Sequence, residues 1–282
     1  MATIGFIDYY LDEWHAENLP AWIAEATGGE MKAACAYGLI DSPNGLSNAD
    51  WCRKHGIALL DSIEAVVESS DYLIVLSPDH PEFHERLAAL PLASGKPTYV
   101  DKTFAPDRAA AIRLFEAAEA SGTPMFSSSA LRFAEEYAAE RDRSRGRRVE
   151  TLCSQGPGKF GNYAIHQLEP IVSIMGTAAR RVQFIGTERT PALVIEYADG
   201  RRATMHHLNN VPFRLTYQYE EGASSEATAQ SDFFAPFVRA LAEFFRTGRA
   251  PVDPSETVAV ITLIEYGRLA AASPGEWLEL PV

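Results

Sequence analysis

The stretch Asp71–His80, which reads DYLIVLSPDH, decides the fold. A continuous apolar run that ends in a polar turn fixed by proline is typical of a strand buried on both faces. Shorter apolar runs occur at 3–7, 31–37, 57–60, 98–100 and 124–126, and helical stretches separate them. Strands that alternate with helices require crossovers, so the first half predicts an α/β doubly wound parallel sheet.

The pattern changes after about Arg132. A charged connector at 135–148 is followed by a strand at 149–154, the glycine-rich loop 155–161 and a helix that ends at Met175. Alternating segments then occupy 181–185, 192–197, 202–208 and 214–220, with Asp199-Gly200 as a hairpin turn, before helices at 234–247 and 255–272. We therefore predict a domain at 1–128 and an α+β domain with a mostly antiparallel open sheet at 129–282.

The composition excludes several classes of protein. The chain has 282 residues, of which 46% are hydrophobic and 22% charged, as in an ordinary globular protein. Its net charge of −13 repels nucleic-acid phosphates and anionic membranes, so we expect neither partner. No apolar run approaches the roughly 20 residues of a membrane span. The basic run 141–148 is interrupted by acidic and small residues, which predicts a solvated connector.

Cysteine usage indicates a reducing compartment. Cys35, Cys52 and Cys153 are widely spaced, which argues against a disulfide framework and against a thiolate zinc site. The first residues enter a strand without a basic and then apolar leader, so we expect no signal peptide and a cytoplasmic protein.

We expect no metal site. His80 and His84 are spaced i, i+4 on one helix face, but no third ligand at zinc-like spacing accompanies them. His206 and His207 are neighbours on a strand, so they point to opposite faces and cannot chelate one ion together.

A doubly wound sheet binds ligands at the carboxyl ends of its strands, where the strand order reverses. The first turn should carry the glycine fingerprint G-x-G-x-x-G, but only Gly5 matches, and Ile7 and Tyr10 occupy the other positions. Nearby carboxylates at Asp8, Asp12 and Glu13 add negative charge where a helix N-terminus favours an anion. Taken alone, this segment favours an ordinary strand-to-helix turn.

The later strand ends carry polar candidates. After the second strand, Asp41 is either a ribose ligand or a turn residue, so the sequence leaves NAD against NADP open. Ser77 and Pro78 present small groups to the crevice, and Asp79 either joins them or caps a helix. Lys102 follows the strand at 98–100, where partial burial would tune an acid–base group. A lysine paired with Asp101 or Asp107 is the alternative.

In the second half, His166 and Glu169 lie three residues apart after a glycine-rich loop and share a helix face. Histidine exchanges protons near neutral pH, and a carboxylate one turn away can orient it. This pair is therefore a candidate for proton transfer. Four polar residues are candidates for substrate contacts: Arg132, Tyr163, Asn209 and Asn210.

The ordered series of these segments resembles the glucose–fructose oxidoreductase/inositol dehydrogenase (Gfo/Idh/MocA) family. His15 stands where the family has a histidine after its fingerprint, and Ser77–His84 is similar to its T-P-N-x-x-H turn. The remaining similar segments are Asp101-Lys102-Thr103 for E-K-P, Arg132-Phe133 for an Arg-Phe pair, Asn162-x-Ala164-x-His166-x-x-Glu169 for D-x-G-x-H-x-x-D, and Phe237 to Pro251 for the closing helices.

The resemblance implies a Rossmann domain at 1–128 that binds NAD or NADP, and a substrate and oligomerisation domain at 129–282. It implies oxidation of a sugar, cyclitol or related polyhydroxylated molecule, with Lys102 and His166 at the reacting oxygen. The catalytic candidates are Lys102, His166, Asn162 and Glu169. The cofactor-binding candidates are Gly5, Ile7, Asp8, Tyr9, Tyr10, Ser77, Pro78, Asp79, His84 and Asp101.

Two further expectations complete this interpretation. We hypothesise that the backbone of Asp8–Leu11 holds the pyrophosphate in a turn looser than the glycine-rich one. The resemblance also implies a homodimer or homotetramer formed through the exposed face of the second-domain sheet, with the tyrosines of 217–219 in the contact.

Two alternatives use the same residues. Some relatives run elimination or epimerisation through a transient oxidation with a tightly held cofactor. A different class, suggested by Ile7 and Tyr10 in the fingerprint, is a sugar-binding or regulatory protein that has lost its cofactor.

Overall fold

The structure is a computed structural model that describes residues 1–281. The chain folds as two compact units. The N-terminal unit comprises Met1–Ser128 together with Ala235–Asp253, and the second unit comprises Ser129–Phe234 together with the residues from Pro254 onward. Each unit is built around one β-sheet.

The N-terminal unit contains a six-stranded sheet in the order β3-β2-β1-β4-β5-β6, in which every pairing is parallel. Its strands are β1 Ala2–Asp8, β2 Met31–Gly38, β3 Ala58–Leu59, β4 Tyr72–Val75, β5 Thr98–Val100 and β6 Met125–Phe126. The predicted doubly wound parallel sheet is confirmed. The strand order reverses between β1 and β4, so the carboxyl ends of these two strands border the crevice where such sheets bind ligands.

Five helices connect these strands: α1 Trp14–Ala26, α2 Asn48–His55, α3 Ile63–Ser69, α4 His84–Ala93 and α5 Arg108–Ala120. Ser47, Ser62 and Asp107 cap α2, α3 and α5, each accepting a backbone N–H of the first turn. Such caps satisfy donors that a helix leaves unpaired at its start, and they therefore set where these helices begin.

The second unit contains a seven-stranded sheet in the order β12-β11-β7-β10-β9-β8-β13. Its strands are β7 Val149–Gly156, β8 Ala179–Phe184, β9 Ala192–Tyr197, β10 Arg202–His207, β11 Arg214–Tyr219, β12 Ser224–Thr228 and β13 Trp277–Glu279. Within this second sheet, the β7–β10 pairing is the only parallel one among the described strands, which confirms the predicted mostly antiparallel sheet. Its helices are α6 Glu135–Ser144, α7 Phe160–Met175 and α9 Pro254–Ala270.

The helix α8, Phe234–Thr247, lies in a different unit from the one predicted. The predicted second domain spans 129–282, but residues 235–253 belong to the N-terminal unit. The aromatic side chains of α8 explain this position. Phe245 stacks on Tyr72 of β4 with ring centroids 4.8 Å apart, and Phe244 contacts Phe126 of β6 at 4.8 Å. Burying these rings against the parallel sheet stabilises the helix there, although the chain reaches it only after the second sheet.

The basic run is not a solvated connector throughout, because residues 135–144 form α6. Tyr137 and Glu140 of this helix are buried, and the Arg141 guanidinium donates to the backbone oxygen of Arg132. Burial, with the nearby charge of Arg132, lowers the pKa of Arg141 to about 10. The segment therefore contributes to the core of the second unit.

The tyrosines of β11 do not lie on the exposed face of the second sheet, which corrects their predicted place in an oligomer contact. Tyr217 and Tyr219 are buried, and the Tyr217 hydroxyl donates to Glu140 of α6. The Arg147 guanidinium lies 3.3 Å from the centroid of the Tyr219 ring. Since side chains alternate along a strand, Arg214, Thr216 and Gln218 are the exposed residues of this strand. No helix among the described residues is long and apolar enough to cross a membrane.

We predict that Gly5→Ala destabilises the protein by about 1 to 3 kcal/mol, as overpacking of a core does. A Cβ at Gly5 would lie 2.4 Å from both Ser70 Oγ and Val66 Cγ1, at the closely packed junction of β1 and α3. The matched control is Gly161→Ala, since a Cβ there meets nothing within 4 Å. Urea unfolding measures both variants, and equal free energies of unfolding would contradict this account of Gly5.

Candidate functional site

The carboxyl end of β1 carries a buried carboxyl group. Asp8 is 1% exposed, and its Oδ1 accepts from the backbone N–H of Tyr9 at 2.6 Å. Its Oδ2 has no hydrogen-bond partner among the described residues. Burial, together with the charges of Glu13 and Asp101, raises the pKa of Asp8 well above its ordinary value. Asp8 is therefore more readily protonated than a surface aspartate, and in that state its carboxyl group is a hydrogen-bond donor.

The carboxylate of Glu13 caps the first turn of α1. It accepts from the backbone N–H groups of Ala16 and His15, the latter at 2.8 Å. The imidazole Nδ1 of His15 lies 3.1 Å from Glu13 Oε2 and 3.9 Å from Asp101 Oδ2. Although burial disfavours the imidazolium, Asp101 and Glu13 together raise the pKa of His15 above its ordinary value. The start of α1 is thus an ion-paired cluster.

The segment after β5 places a second buried carboxylate beside this cluster. Asp101 is 3% exposed, and its Oδ1 accepts from the Tyr99 hydroxyl at 2.8 Å. Burial alone would raise the pKa of Asp101, but the charges of His15 and Lys102 and the Tyr99 hydrogen bond lower it below its ordinary value. Lys102, the next residue, is half-buried. Asp101 is therefore ionised at neutral pH.

The backbone of the turn after β1 is largely bonded to the chain's own side chains. The Tyr9 N–H donates to Asp8, and the Leu11 N–H donates to Asn48 Oδ1 at 3.0 Å. Two donors of the Asp8–Leu11 backbone are thus taken by the chain's own side chains in this structure, and the pyrophosphate contact of this segment stays a prediction. One acceptor is the adjacent residue Asp8 and the other is Asn48, 37 residues along the chain, so these two donors are already satisfied.

Gly5 and Ile7 lie inside β1, and both are buried. Gly5 allows α3 to approach the strand, as described above, and the side chain of Ile7 is in the core. Neither is a turn residue. Because β1 continues to Asp8, the fingerprint spacing is better counted from there, and it then places Asp8, Tyr10 and Glu13 at the three glycine positions.

The turn after β4 packs on the turn after β1. The Tyr9 ring stacks on Phe83 with centroids 4.3 Å apart and lies 4.7 Å from His80. Ser77 is buried with φ of 99°, a left-handed conformation that non-glycine residues rarely adopt, and its hydroxyl donates to the His80 oxygen at 2.9 Å. Pro78 is half-buried and Asp79 is exposed in this turn.

His84 ties two strand ends together. Its ring is completely buried, and its two nitrogens lie 2.9 Å from the backbone oxygens of Leu76 and Phe104. Burial lowers the pKa of His84. This geometry assigns His84 a positioning role between β4 and the segment after β5.

The carboxylate of Asp41, after β2, accepts from the backbone N–H of Asn48 at 2.7 Å, as the side chain of a turn residue does.

In the second unit, Ser129 brings the predicted histidine and acid together. Its Oγ lies 2.7 Å from His166 Nδ1, and its backbone N–H donates to Glu169 Oε2 at 3.0 Å. The side chains of His166 and Glu169, which share a face of α7 as predicted, therefore both contact Ser129. The rings of Tyr163 and Phe213 meet the His166 imidazole edge-on at 5.2 and 5.5 Å. These contacts orient the imidazole.

Arg132 is an internal partner of acids in the second unit. It is 7% exposed, its Nη1 donates to Glu256 at 2.7 Å, and it lies 3.9 Å from Glu169 Oε1. The other predicted polar residues are on the surface, because Asn162, Tyr163, Asn209 and Asn210 are all exposed. Asn162 lies in the first turn of α7, four residues before His166.

Sequence reasoning missed Ser129 and the cap formed by Glu13. Ser129 follows β6 in the run Ser127-Ser128-Ser129, and only folding brings it to a histidine 37 positions later. Glu13 was seen only as unfavourable charge, because glutamate is not among the preferred N-cap residues. Counting the fingerprint from the end of the strand would have drawn attention to it.

No family model matches the chain, and no curated protein matches it in sequence. Solved structures share its fold. GenD2 from gentamicin A biosynthesis, in complex with NAD, has a TM-score of 0.80 at 16% identity, covering 100% of this chain and 97% of that one. The WlbA dehydrogenase from Bordetella pertussis, in complex with NADH and UDP-GlcNAcA, has a TM-score of 0.80 at 15% identity, covering 100% and 99%. A myo-inositol dehydrogenase from Corynebacterium glutamicum has a TM-score of 0.78 at 14% identity, covering 100% and 99%.

These likenesses extend over the whole chain, so its fold is the fold of these dehydrogenases. The fold that the family resemblance implied is therefore confirmed.

We predict that Asp8→Asn stabilises the protein by about 1 to 3 kcal/mol at pH 8 and by much less at pH 4. A carboxyl whose pKa is raised on folding costs stability as the pH rises through the folded value, and asparagine removes that cost while it keeps an acceptor for the Tyr9 N–H. Urea unfolding at the two pH values measures this. Asp61→Asn, at an exposed carboxylate, is the control and should change stability little at either pH.

Proposed function

We propose that the chain is an NAD(P)-dependent oxidoreductase of the Gfo/Idh/MocA family, acting on a sugar, cyclitol or related polyhydroxylated molecule. The observation that carries this proposal is the likeness over the whole chain to dehydrogenases, two of which were solved with NAD or NADH. The placement of Lys102 after β5 and the oriented imidazole of His166 on α7 support it.

The N-terminal unit fits a dinucleotide in part. The strand order reverses between β1 and β4, which is where such sheets hold dinucleotides. The start of α1 has backbone N–H donors of the kind that bind a phosphate, but two of these N–H groups donate to the Glu13 carboxylate. A dinucleotide therefore fits this edge once the Glu13 carboxylate leaves the helix, with Asp8, Tyr9, Tyr10, Ser77, Pro78, Asp79 and Asp101 as the neighbouring residues.

Alcohol oxidation removes one proton and one hydride from the carbinol, and NAD or NADP, when bound, accepts the hydride. In the proposed mechanism the Lys102 ammonium binds the reacting oxygen and stabilises its developing negative charge. The His166 Nε2 accepts the hydroxyl proton, since imidazole exchanges protons near neutral pH. Ser129 holds the opposite ring nitrogen, and Glu169 fixes Ser129 through its backbone N–H. Asn162, at the start of α7, is proposed to contact the substrate.

One observation favours a second candidate, a sugar-binding or regulatory protein without a dinucleotide. Asp8 and Glu13 surround the usual phosphate position with carboxyl groups that are satisfied within the chain or buried. Fluorescence titration of the purified protein with NADH and with NADPH decides between the two candidates. The oxidoreductase binds at least one of them, whereas binding of neither at millimolar concentration favours the second candidate.

We predict that Lys102→Met and His166→Gln each lower kcat about 10²- to 10⁴-fold with little change in dinucleotide affinity, as removal of an acid–base group does. The measurement is NAD(P) reduction with a panel of cyclitols and sugars. Lys32→Met and His206→Gln are matched controls, since both change the same residue types elsewhere on the chain. Loss of turnover in the controls as well, or retained turnover in both site variants, would contradict the assignment.

We predict that Ser129→Ala lowers kcat about tenfold and shifts the acidic limb of its pH profile, because the imidazole loses its Nδ1 partner. A purely structural serine would lower thermal stability without moving that limb. Ser129→Thr keeps the hydroxyl and should restore the profile of the natural protein.

The assembly and the compartment stay proposals. We propose a homodimer or homotetramer formed through the exposed face of the second-unit sheet, which carries Cys153, Thr216 and Gln218 rather than the tyrosines. Size-exclusion chromatography with light scattering measures the state, and a strict monomer would contradict this proposal. The free thiols Cys35, Cys52 and Cys153 support a reducing compartment, and we propose the cytoplasm.

A further inference from the structure

The start of α1 is filled by a side chain of the chain itself. A helix N-terminus carries partial positive charge and unpaired N–H groups, and an anion bound there is stabilised. In α1, which has 13 residues, the anion is the Glu13 carboxylate, with the N–H groups of His15 and Ala16 as donors. The Glu13 side chain is 9% exposed and also lies 3.1 Å from the His15 imidazole. It is therefore held from two directions.

A second observation at the same edge indicates a ligand. Asp8 Oδ2 is buried and has no hydrogen-bond partner among the described residues. Buried polar atoms nearly always have a hydrogen-bond partner, so a buried polar atom without one indicates a partner from outside the chain. A protonated Asp8 is a donor, and a phosphate oxygen would accept from it.

We propose that Glu13 is an internal anion that occupies the phosphate position of the N-terminal unit and is displaced when a dinucleotide binds, so that this side chain sets the dinucleotide affinity. The inference rests on the proposed function. The bound phosphate takes over the N–H groups of His15 and Ala16, and the released carboxylate remains beside His15. The natural protein therefore binds the dinucleotide more weakly than its fold permits.

Asp12 provides a matched control within the same turn. It carries the same charge one position earlier, but its Oδ2 accepts from the Leu46 N–H instead of from α1. If Glu13 acted only through the net negative charge of the turn, removal of either charge would have a similar effect. If Glu13 acts by occupying the helix start, only its removal strengthens binding.

The experiment measures dissociation constants for NADH and NADPH by fluorescence titration of the full-length natural protein, Glu13→Ala, Glu13→Ser and Asp12→Asn. We expect both Glu13 variants to bind about tenfold more tightly, and Asp12→Asn to stay within about twofold of the natural protein. Glu13→Ser retains a short cap oxygen, so it guards against a helix start that frays in Glu13→Ala. Thermal denaturation verifies that each variant is folded.

Unchanged or weaker binding in folded Glu13→Ser overturns the inference, and so does equal tightening in Asp12→Asn. The proposed function is tested separately by turnover. If the natural protein reduces NAD(P) with a polyol and the Glu13 variants bind no better, the inference fails and the function stands. If the Glu13 variants bind tightly and no variant turns over a polyol, the inference stands and the function fails. If no protein binds either dinucleotide, both fail.

Discussion

The burial of two carboxyl groups at one edge of a parallel sheet is the constraint on which the N-terminal unit depends. Asp8 and Asp101 end or follow strands on either side of β4, and both are almost completely buried. An ionised carboxylate in such a place costs much free energy unless charges or donors compensate it. Asp101 is compensated by His15, Lys102 and the Tyr99 hydroxyl, whereas Asp8 is compensated, among the described residues, only by the backbone N–H groups of Tyr9 and Tyr10. The pKa of Asp8 is therefore raised and the pKa of Asp101 is lowered, relative to the same ordinary value.

The Asp101 carboxylate also acts on the first turn of α1, the helix that follows β1. Asp101 and Glu13 face the His15 imidazole and raise its pKa above the ordinary value, and His15 is within reach of both because it lies in the first turn of α1. The Glu13 carboxylate accepts from the backbone N–H groups of His15 and Ala16 at the helix start, and it also lies beside the His15 imidazole. A glycine in its place would leave these N–H groups to a ligand, which is how the fingerprint of dinucleotide-binding sheets operates. In this chain the occupant of the helix start is the side chain of Glu13.

Periodicity predicted the large elements well because burial determines both. The apolar runs of β1, β4 and β5 and the alternation in β11 follow from how many faces of each strand are covered. Ser224–Thr228 and Trp277–Glu279 were missed as strands because β12 is short and polar and β13 has only three residues, and pairing with β11 and β8 orders them. The position of α8 also escaped prediction, since an amphipathic pattern shows that a face is buried without showing which sheet covers it.

The candidate site was predictable to the level of residue type and spacing, and not to the level of partners. The spacing of His166 and Glu169 predicted one shared helix face, and the structure adds that a single serine contacts both. Ser129 can do so because its side chain and its backbone N–H are separate hydrogen-bonding groups on one residue. The acid thus acts on the serine's main chain, where the bond restrains position, while the hydroxyl contacts the imidazole. Rotation of the serine side chain alone would leave the Glu169 contact intact, so the two interactions are separable in a way that a direct acid–histidine pair is not.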